Sequence, residues 1–130
     1  MTAWMITVPK DRVGELLYEI DRAKTTGEWK RFRLSRHIRS PKDGDRVYVV
    51  YNGKIRGYMP VIGLEWNDGF TCSTTGNEWD AGQYLLCKLA EYTELLLGIE
   101  CKGFQGIRRV DYDKYPKLKR LTEIQDKIKK

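Results

Sequence analysis

Histidine occurs once and cysteine three times in a chain of 130 residues. A structural zinc site needs four thiolate or imidazole ligands, normally in closely spaced pairs. Cys72, Cys87, Cys101 and His37 are the whole supply, their spacings are long, and no Cys-x-x-Cys is present. No metal or other cofactor is expected, and the scattered cysteines read as reduced thiols of a cytoplasmic protein. The same shortage weighs against nucleophilic catalysis. A Ser-His-Asp or Cys-His site would have to use His37, which sits between Arg36 and Ile38 in a basic stretch and reads as a surface imidazole. Long apolar runs are also missing. Nothing approaches the roughly 20 residues that span a bilayer, so no membrane partner is expected. Met1 to Pro9 has no cationic stretch ahead of an apolar one, so no signal peptide is expected either.

What the chain does have is ample core material. Apolar residues make up 41% and charged residues 32%, with four Trp, eight Tyr and three Phe. A chain of this size buries about two-thirds of its unfolded surface and needs no disulfide to hold a core. The expected organisation is a single domain over 1–130, with 113–130 a basic closing helix. The net charge of +6 is uneven. Residues 28–46 hold seven basic side chains against three acidic, and 102–130 hold ten against four. Between them, 47–101 holds three basic against seven acidic. If folding joins the two basic segments, they form a positive face suited to an anionic partner, nucleic acid first.

Trp4 to Val8 is apolar and β-branched and predicts a buried strand ended by Pro9. Val13, Leu16, Leu17, Ile20 and Ala23 recur at helical spacing, with acidic residues early and Gly27 as the stop, so 11–24 predicts a helix. Trp29 to Leu34 predicts a strand, Phe32 and Leu34 on one face and Arg31 and Arg33 on the other. Ser35 can cap a short helical turn through Arg39. Arg46 to Tyr51 is the clearest strand. Asn52-Gly53 after it signals a type I′ hairpin turn, whose central residues both take positive φ. Ile55 to Leu64 predicts the returning strand, bulged or curved by Gly57, Pro60 and Gly63. Residues 65–83 are rich in Gly, Asn, Asp and Thr and predict loops around a short strand at Phe70 to Cys72. Gln83 to Leu89 and Ile107 to Tyr112 predict strands, while 92–101 fits helix or strand. Leu118, Leu121, Ile124 and Ile128 mark one apolar face of the closing helix. Short curved strands, a hairpin and two helices predict an α+β fold built on a small mixed β-barrel.

Gly44-Asp45 leads into Arg46-Val-Tyr-Val-Val-Tyr51, and the hairpin returns through Ile55-Arg-Gly-Tyr58. This order of Gly-Asp, strand, turn and strand with glycine resembles the core of the PUA-like superfamily, which includes the PUA, ASCH and EVE domains. Upstream, Lys24-Thr-Thr-Gly-Glu-Trp-Lys-Arg31 is similar to the ASCH motif Gly-x-Lys-x-x-Glu-x-Arg. It departs from that motif in having no glycine just ahead of Lys24 and one extra residue between Lys24 and Glu28. The resemblance covers roughly residues 3–112. It implies a pseudo-barrel with flanking helices and recognition of RNA or DNA. EVE-type members receive a flipped, often modified, base in an aromatic-lined pocket. Some ASCH members hydrolyse N4-acylated cytidine with a Lys, a Thr and a Glu, for which this chain offers Lys24, Thr26 and Glu28.

Arg31, Arg33, Arg36 and Arg39, interleaved with Trp29 and Phe32, have the composition of a groove that tracks a phosphate backbone. A solvated face paired with the acidic middle of the chain is the alternative. Lys54 and Arg56 on the hairpin, and Arg108 and Arg109 near the end, extend the basic set, although edge strands also carry such charges to block pairing. Trp29, Trp66, Phe70 and Trp79 can stack a base or close the end of the barrel. Glu65, Asp68, Glu78 and Asp80 can accept from a base amino group or form a wet rim. A lysine base needs burial or a cationic neighbour, and the helix-end context of Lys24 makes capping its simpler role. The expected function is a nucleic-acid-binding module rather than an enzyme. A hydrolase of acylated cytidine and an adaptor for an acidic protein are the alternatives.

Overall fold

In chain order the elements are β1 (Ala3–Thr7), α1 (Val13–Thr26), β2 (Lys30–Arg33), β3 (Arg46–Tyr51), β4 (Lys54–Thr71), β5 (Glu78–Cys87), β6 (Thr93–Glu100), β7 (Ile107–Arg109) and α2 (Pro116–Lys129). They come from a computed structural model describing residues 2–34, 39–71, 76 and 78–129, with every side chain except those of Phe70, Trp79 and Lys129. The class is α+β: a mixed seven-stranded sheet in the order β2-β5-β4-β3-β1-β7, with β6 also paired to β4. β1 and β3 run parallel, and every other pairing is antiparallel. The sheet is open: among the described residues, the outer strands β2 and β7 do not pair.

The central strands are covered on both faces, which is why their sequences are continuously apolar rather than alternating. Trp4, Ile6, Val47, Val49 and Met59 point into one core with Leu16, Ile20 and Ala23 of α1. Ala3, Met5, Tyr48, Val50 and Ile55 point into a second core with Leu118 of α2. The turn between β3 and β4 takes the expected form, with φ of 51° at Asn52 and 74° at Gly53. Gly27 ends α1 with φ 72°, its N–H returned to the Ala23 carbonyl at 2.7 Å. β4 shifts register against β3 beside Arg56 and against β5 beside Ile62, so one long strand serves β3 and β6 with its first half and β5 with its second.

The structure departs from two expectations. Residues 65–71 are not loop: β4 continues to Thr71 and pairs with a β5 that begins at Glu78, placing Asn67 opposite Gly82 and Phe70 opposite Trp79. Backbone pairing across a long hairpin overrides the turn-rich composition. Residues 93–100, which fit helix or strand by sequence, form a strand because the first half of β4 still has a free side to pair with. Residues 35–38, with the expected cap at Ser35, lie outside the described residues.

The second departure concerns α2. Its expected apolar face docks only in its first half: Leu118 is buried and Leu121 packs beside it on the second core, whereas Ile124 is 46% and Ile128 72% exposed. The helix turns inward the face bearing Thr122, Gln125 and Asp126. Thr122 Oγ1 lies 2.8 Å from the Tyr48 hydroxyl, which also lies 3.0 Å from that of Tyr112. Asp126 accepts from both terminal nitrogens of Arg46, at 3.0 and 3.4 Å. Gln125 accepts from the Leu96 N–H at 3.0 Å and donates to the Glu94 carbonyl at 3.2 Å, acting as a one-residue strand partner for β6. Unpaired strand edges recruit other chains. Gln125→Ala is therefore expected to lose about 1–2 kcal/mol through the stranded backbone groups. It should also increase self-association, read by denaturant melts and light scattering at rising concentration.

Candidate functional site

Among the described residues a hollow lies where β1 hands over to α1. It has a volume of about 250 Å³ and is enclosed by the end of β1, the first two turns of α1 and the whole of β2. Ile6, Val8, Leu16, Leu34 and the Phe32 ring give it an apolar wall. At that size it is below the about 300–1,000 Å³ of drug-sized pockets, so it suits one small planar group.

One polar pair breaks this wall. Lys30 Nζ donates to both oxygens of Glu19, at 2.9 and 3.0 Å. Glu19 is 8% exposed, on the same helical stripe as Leu16, Ile20 and Ala23. Leu17, expected on that stripe, is instead 48% exposed. Burying one charge alone is costly, and the pairing with Lys30 across the cavity wall is what keeps Glu19 inside. A carboxylate has about four acceptor positions, so two bonds from Lys30 leave room for a ligand N–H. The pair thus sets an acceptor beside a donor on one wall. Sequence reasoning misses Glu19, although its place three residues after Leu16 on an apolar stripe is a legible sign.

Three arginines border the hollow, each engaged with a neighbour. Arg12 pairs with Glu15 at 3.2 Å, and Arg31 with Glu65 at 3.2 Å. The Glu65 carboxyl is held below its ordinary range by the Asn67 amide, against the opposing effect of burial, and then by Arg31. Arg33 lies across Gly82 of β5 and donates to the Ala81 carbonyl at 3.0 Å. All three arginines line the cavity.

The remaining expected residues are spread more widely. Arg39 is exposed, and Arg36 lies outside the described residues. Arg56 closes the β3–β4 turn by donating to the carbonyls of Tyr51 at 3.2 Å and Asn52 at 3.3 Å. Lys54 stands opposite Glu100 on β6. That turn is at the cavity end of the sheet, because the Val8 N–H reaches the Val50 carbonyl at 2.8 Å and the Cys101 N–H the Gly53 carbonyl at 3.0 Å. Arg108 lies over the Phe104 ring at 4.4 Å and Arg109 over Trp4 at 5.3 Å. Folding thus brings parts of both basic segments to one end of the sheet.

The four expected stacking aromatics do not form one box. Trp29 precedes Lys30, which is opposite Cys87, whereas Trp66 is opposite Gln83. At about 3.3 Å per residue, this separates them by roughly 16 Å along the sheet. Trp29 and Trp66 are more than half exposed, and Trp66 Nε1 donates to Asp68 at 3.2 Å. The side chains of Phe70 and Trp79 lie outside the described ones. The aromatic ring that does line the cavity is Phe32.

Lys24, Thr26 and Glu28 sit at the other end of α1. Lys24 borders a separate cleft of about 520 Å³ with Asp45, Arg46 and Asp126. The Thr26 hydroxyl donates to the Arg22 carbonyl at 3.1 Å and accepts from the Glu28 N–H at 3.3 Å. Glu28 in turn pairs with Arg22 at 3.7 Å. These contacts finish the helix. At the same end, Gly44-Asp45 serves the fold. Asp45 is 2% exposed and accepts from Trp4 Nε1 and from the N–H groups of Thr2 and Lys42. Among the described residues no helix is long and apolar enough to cross a membrane. No protein-family model, curated protein or solved structure matches the chain.

Proposed function

We propose that the protein is a nucleic-acid-binding module that takes a single unpaired or flipped base, ordinary or modified, into the cavity between α1 and β2. The observation that carries this reading is the cavity wall itself: an apolar surface with the Phe32 ring, interrupted by the buried Glu19–Lys30 pair and rimmed by Arg12, Arg31 and Arg33. An aromatic ring offers stacking to any base. A carboxylate accepts from an exocyclic amine or ring N–H, and a neighbouring ammonium donates to a ring nitrogen or carbonyl. Arginines at the mouth suit the phosphates that accompany a base. In this reading the strongly bent β4 and the helices on both faces belong to a PUA-like pseudo-barrel. The order Gly44-Asp45, β3, Asn52-Gly53 turn and β4 supports that reading.

Phosphate contacts release counterions, so binding must weaken with salt. With three arginines on phosphates, a single strand should give a log–log slope near about −2, or roughly a sixteenfold loss between 50 and 200 mM salt. The test is a panel of single- and double-stranded RNA and DNA, with modified bases included, titrated at two salt concentrations. Lys30→Met should weaken binding to the preferred base. Failure of every nucleic acid to bind at low salt would remove the reading.

A further inference from the structure

The cavity has a neighbour. A broader hollow of about 570 Å³ shares Thr7, Pro9 and Gly106 with it and continues over the segment Gly103–Gly106. Phe104 lines this second hollow half-buried, packed against the second core and with the Arg108 guanidinium over its ring at 4.4 Å. The segment is anchored. The Phe104 N–H donates to Thr7 Oγ1 at 3.2 Å, and a Cβ on Gly103 would come within 3.3 Å of Thr7 Cγ2. Gly106 has φ 78°, a turn conformation that glycine adopts without strain and that lets the backbone pass closely between the two hollows.

We infer that this second hollow is a subsite for the nucleotide next to the one whose base enters the cavity, with Phe104 as its stacking surface and Arg108 as the positioning residue behind the ring. The inference rests on reading the cavity as a base site. It adds that the natural ligand is a strand rather than a free nucleoside. A nucleoside would fill the cavity and leave the second hollow empty. A strand threaded past Thr7 and Gly106 fills both. A guanidinium stacked on the ring fixes its plane and places a positive charge beside the path of the connecting phosphate. An aromatic face stacks any base, so this subsite adds affinity without adding a sequence preference.

The test is calorimetric titration with mononucleotides, dinucleotides and tetranucleotides that carry the preferred base, in ribose and deoxyribose series. The dinucleotide should bind about tenfold tighter than the mononucleotide, the scale of one base–aromatic stack. Phe104→Leu keeps the bulk of the side chain and removes the aromatic face. It should reduce that gain to about twofold or less. Arg108→Ala should reduce the gain in the same direction. If the mononucleotide binds and the dinucleotide binds no tighter, the second subsite is wrong and the base cavity stands. If the gain survives Phe104→Leu, the neighbouring nucleotide lies elsewhere. If neither ligand binds, both readings fall. A gain in the ribose series alone would assign RNA as the source of the strand, and equal gains would assign a backbone-neutral site.

Discussion

Gly57→Ala is expected to destabilise the fold by about 3 kcal/mol, at the top of the range for overpacking a filled core. A Cβ at Gly57 would collide with the hydroxyl and ring carbon of Tyr92 and come within 2.7 Å of the Thr93 carbonyl oxygen. The tyrosine can move only by leaving its place against the first core. The carbonyl cannot move without opening the β4–β6 pairing, since Gly57 is opposite Glu94 and Tyr58 opposite Thr93. For a domain of this size the loss corresponds to a melting temperature lower by roughly 10 °C. Gly98→Ala is the matched control on the facing strand. Its Cβ would meet Lys54 Cδ at 2.9 Å, part of an exposed flexible chain that swings aside. That variant should melt within about 0.5 kcal/mol of the parent. Equal melting of the two variants would show that the sheet yields at Gly57.

Asp45 is expected to produce a loss of similar size and a pH signature. Asp45→Ala removes one buried carboxylate and strands three donors: the Trp4 indole N–H at 3.0 Å and the backbone N–H groups of Thr2 at 3.1 Å and Lys42 at 3.3 Å. Hydrogen bonds to a charged group contribute about 1.5–3 kcal/mol each and do not add fully, so a total near 3–4 kcal/mol is expected. Burial pushes the Asp45 carboxyl up, but the donors from Trp4, Thr2 and Lys42 outweigh it and hold the group below its ordinary value. A carboxyl lowered on folding stabilises the protein at every pH above its unfolded value, about 3.9 for Asp. That contribution fades as pH falls from there through the folded value, because the unfolded chain then binds the proton more readily. The parent should therefore lose stability as pH falls below about 4. Asp45→Asn should show a shallower loss in the same window, measured by urea melts at stepped pH. Parallel curves for the two proteins would assign the acid sensitivity to other carboxylates.

Local chemistry is legible wherever one or two residues set the backbone. Asn52-Gly53 specifies a turn with two positive φ values, and Gly27 specifies the end of α1. The run from Arg46 to Tyr51 specifies a strand buried on both faces, because no charged residue interrupts Val47 to Val50. The Gly-Asp pair is recognisable as a pattern, but its structural role is not. Asp45 acts on Trp4, 41 residues earlier in the chain.

The candidate site is half legible. Arg31 and Arg33 stand out by composition and do line the cavity. Phe32 stands out only for its place among the arginines, and composition directs the stacking role to tryptophans that the strand register holds apart. In the sequence Glu19 is marked only by its place on an apolar stripe, and a glutamate on a helix is ordinarily solvated. Only the arrival of Lys30 from β2 makes it a buried acceptor.

By itself, then, the sequence determined the α+β class, the Asn52-Gly53 turn, the doubly buried central strand and the uneven charge. Each follows from neighbouring residues through steric limits, periodicity or composition. The tertiary structure alone decided which face of α2 is inside, which carboxylates are buried, and which of the basic residues meet. Those outcomes depend on pairings across the chain, such as Thr122 with Tyr48, Asp126 with Arg46 and Lys30 with Glu19. These pairings fix how α2 is turned on the sheet, and no local pattern encodes their partners.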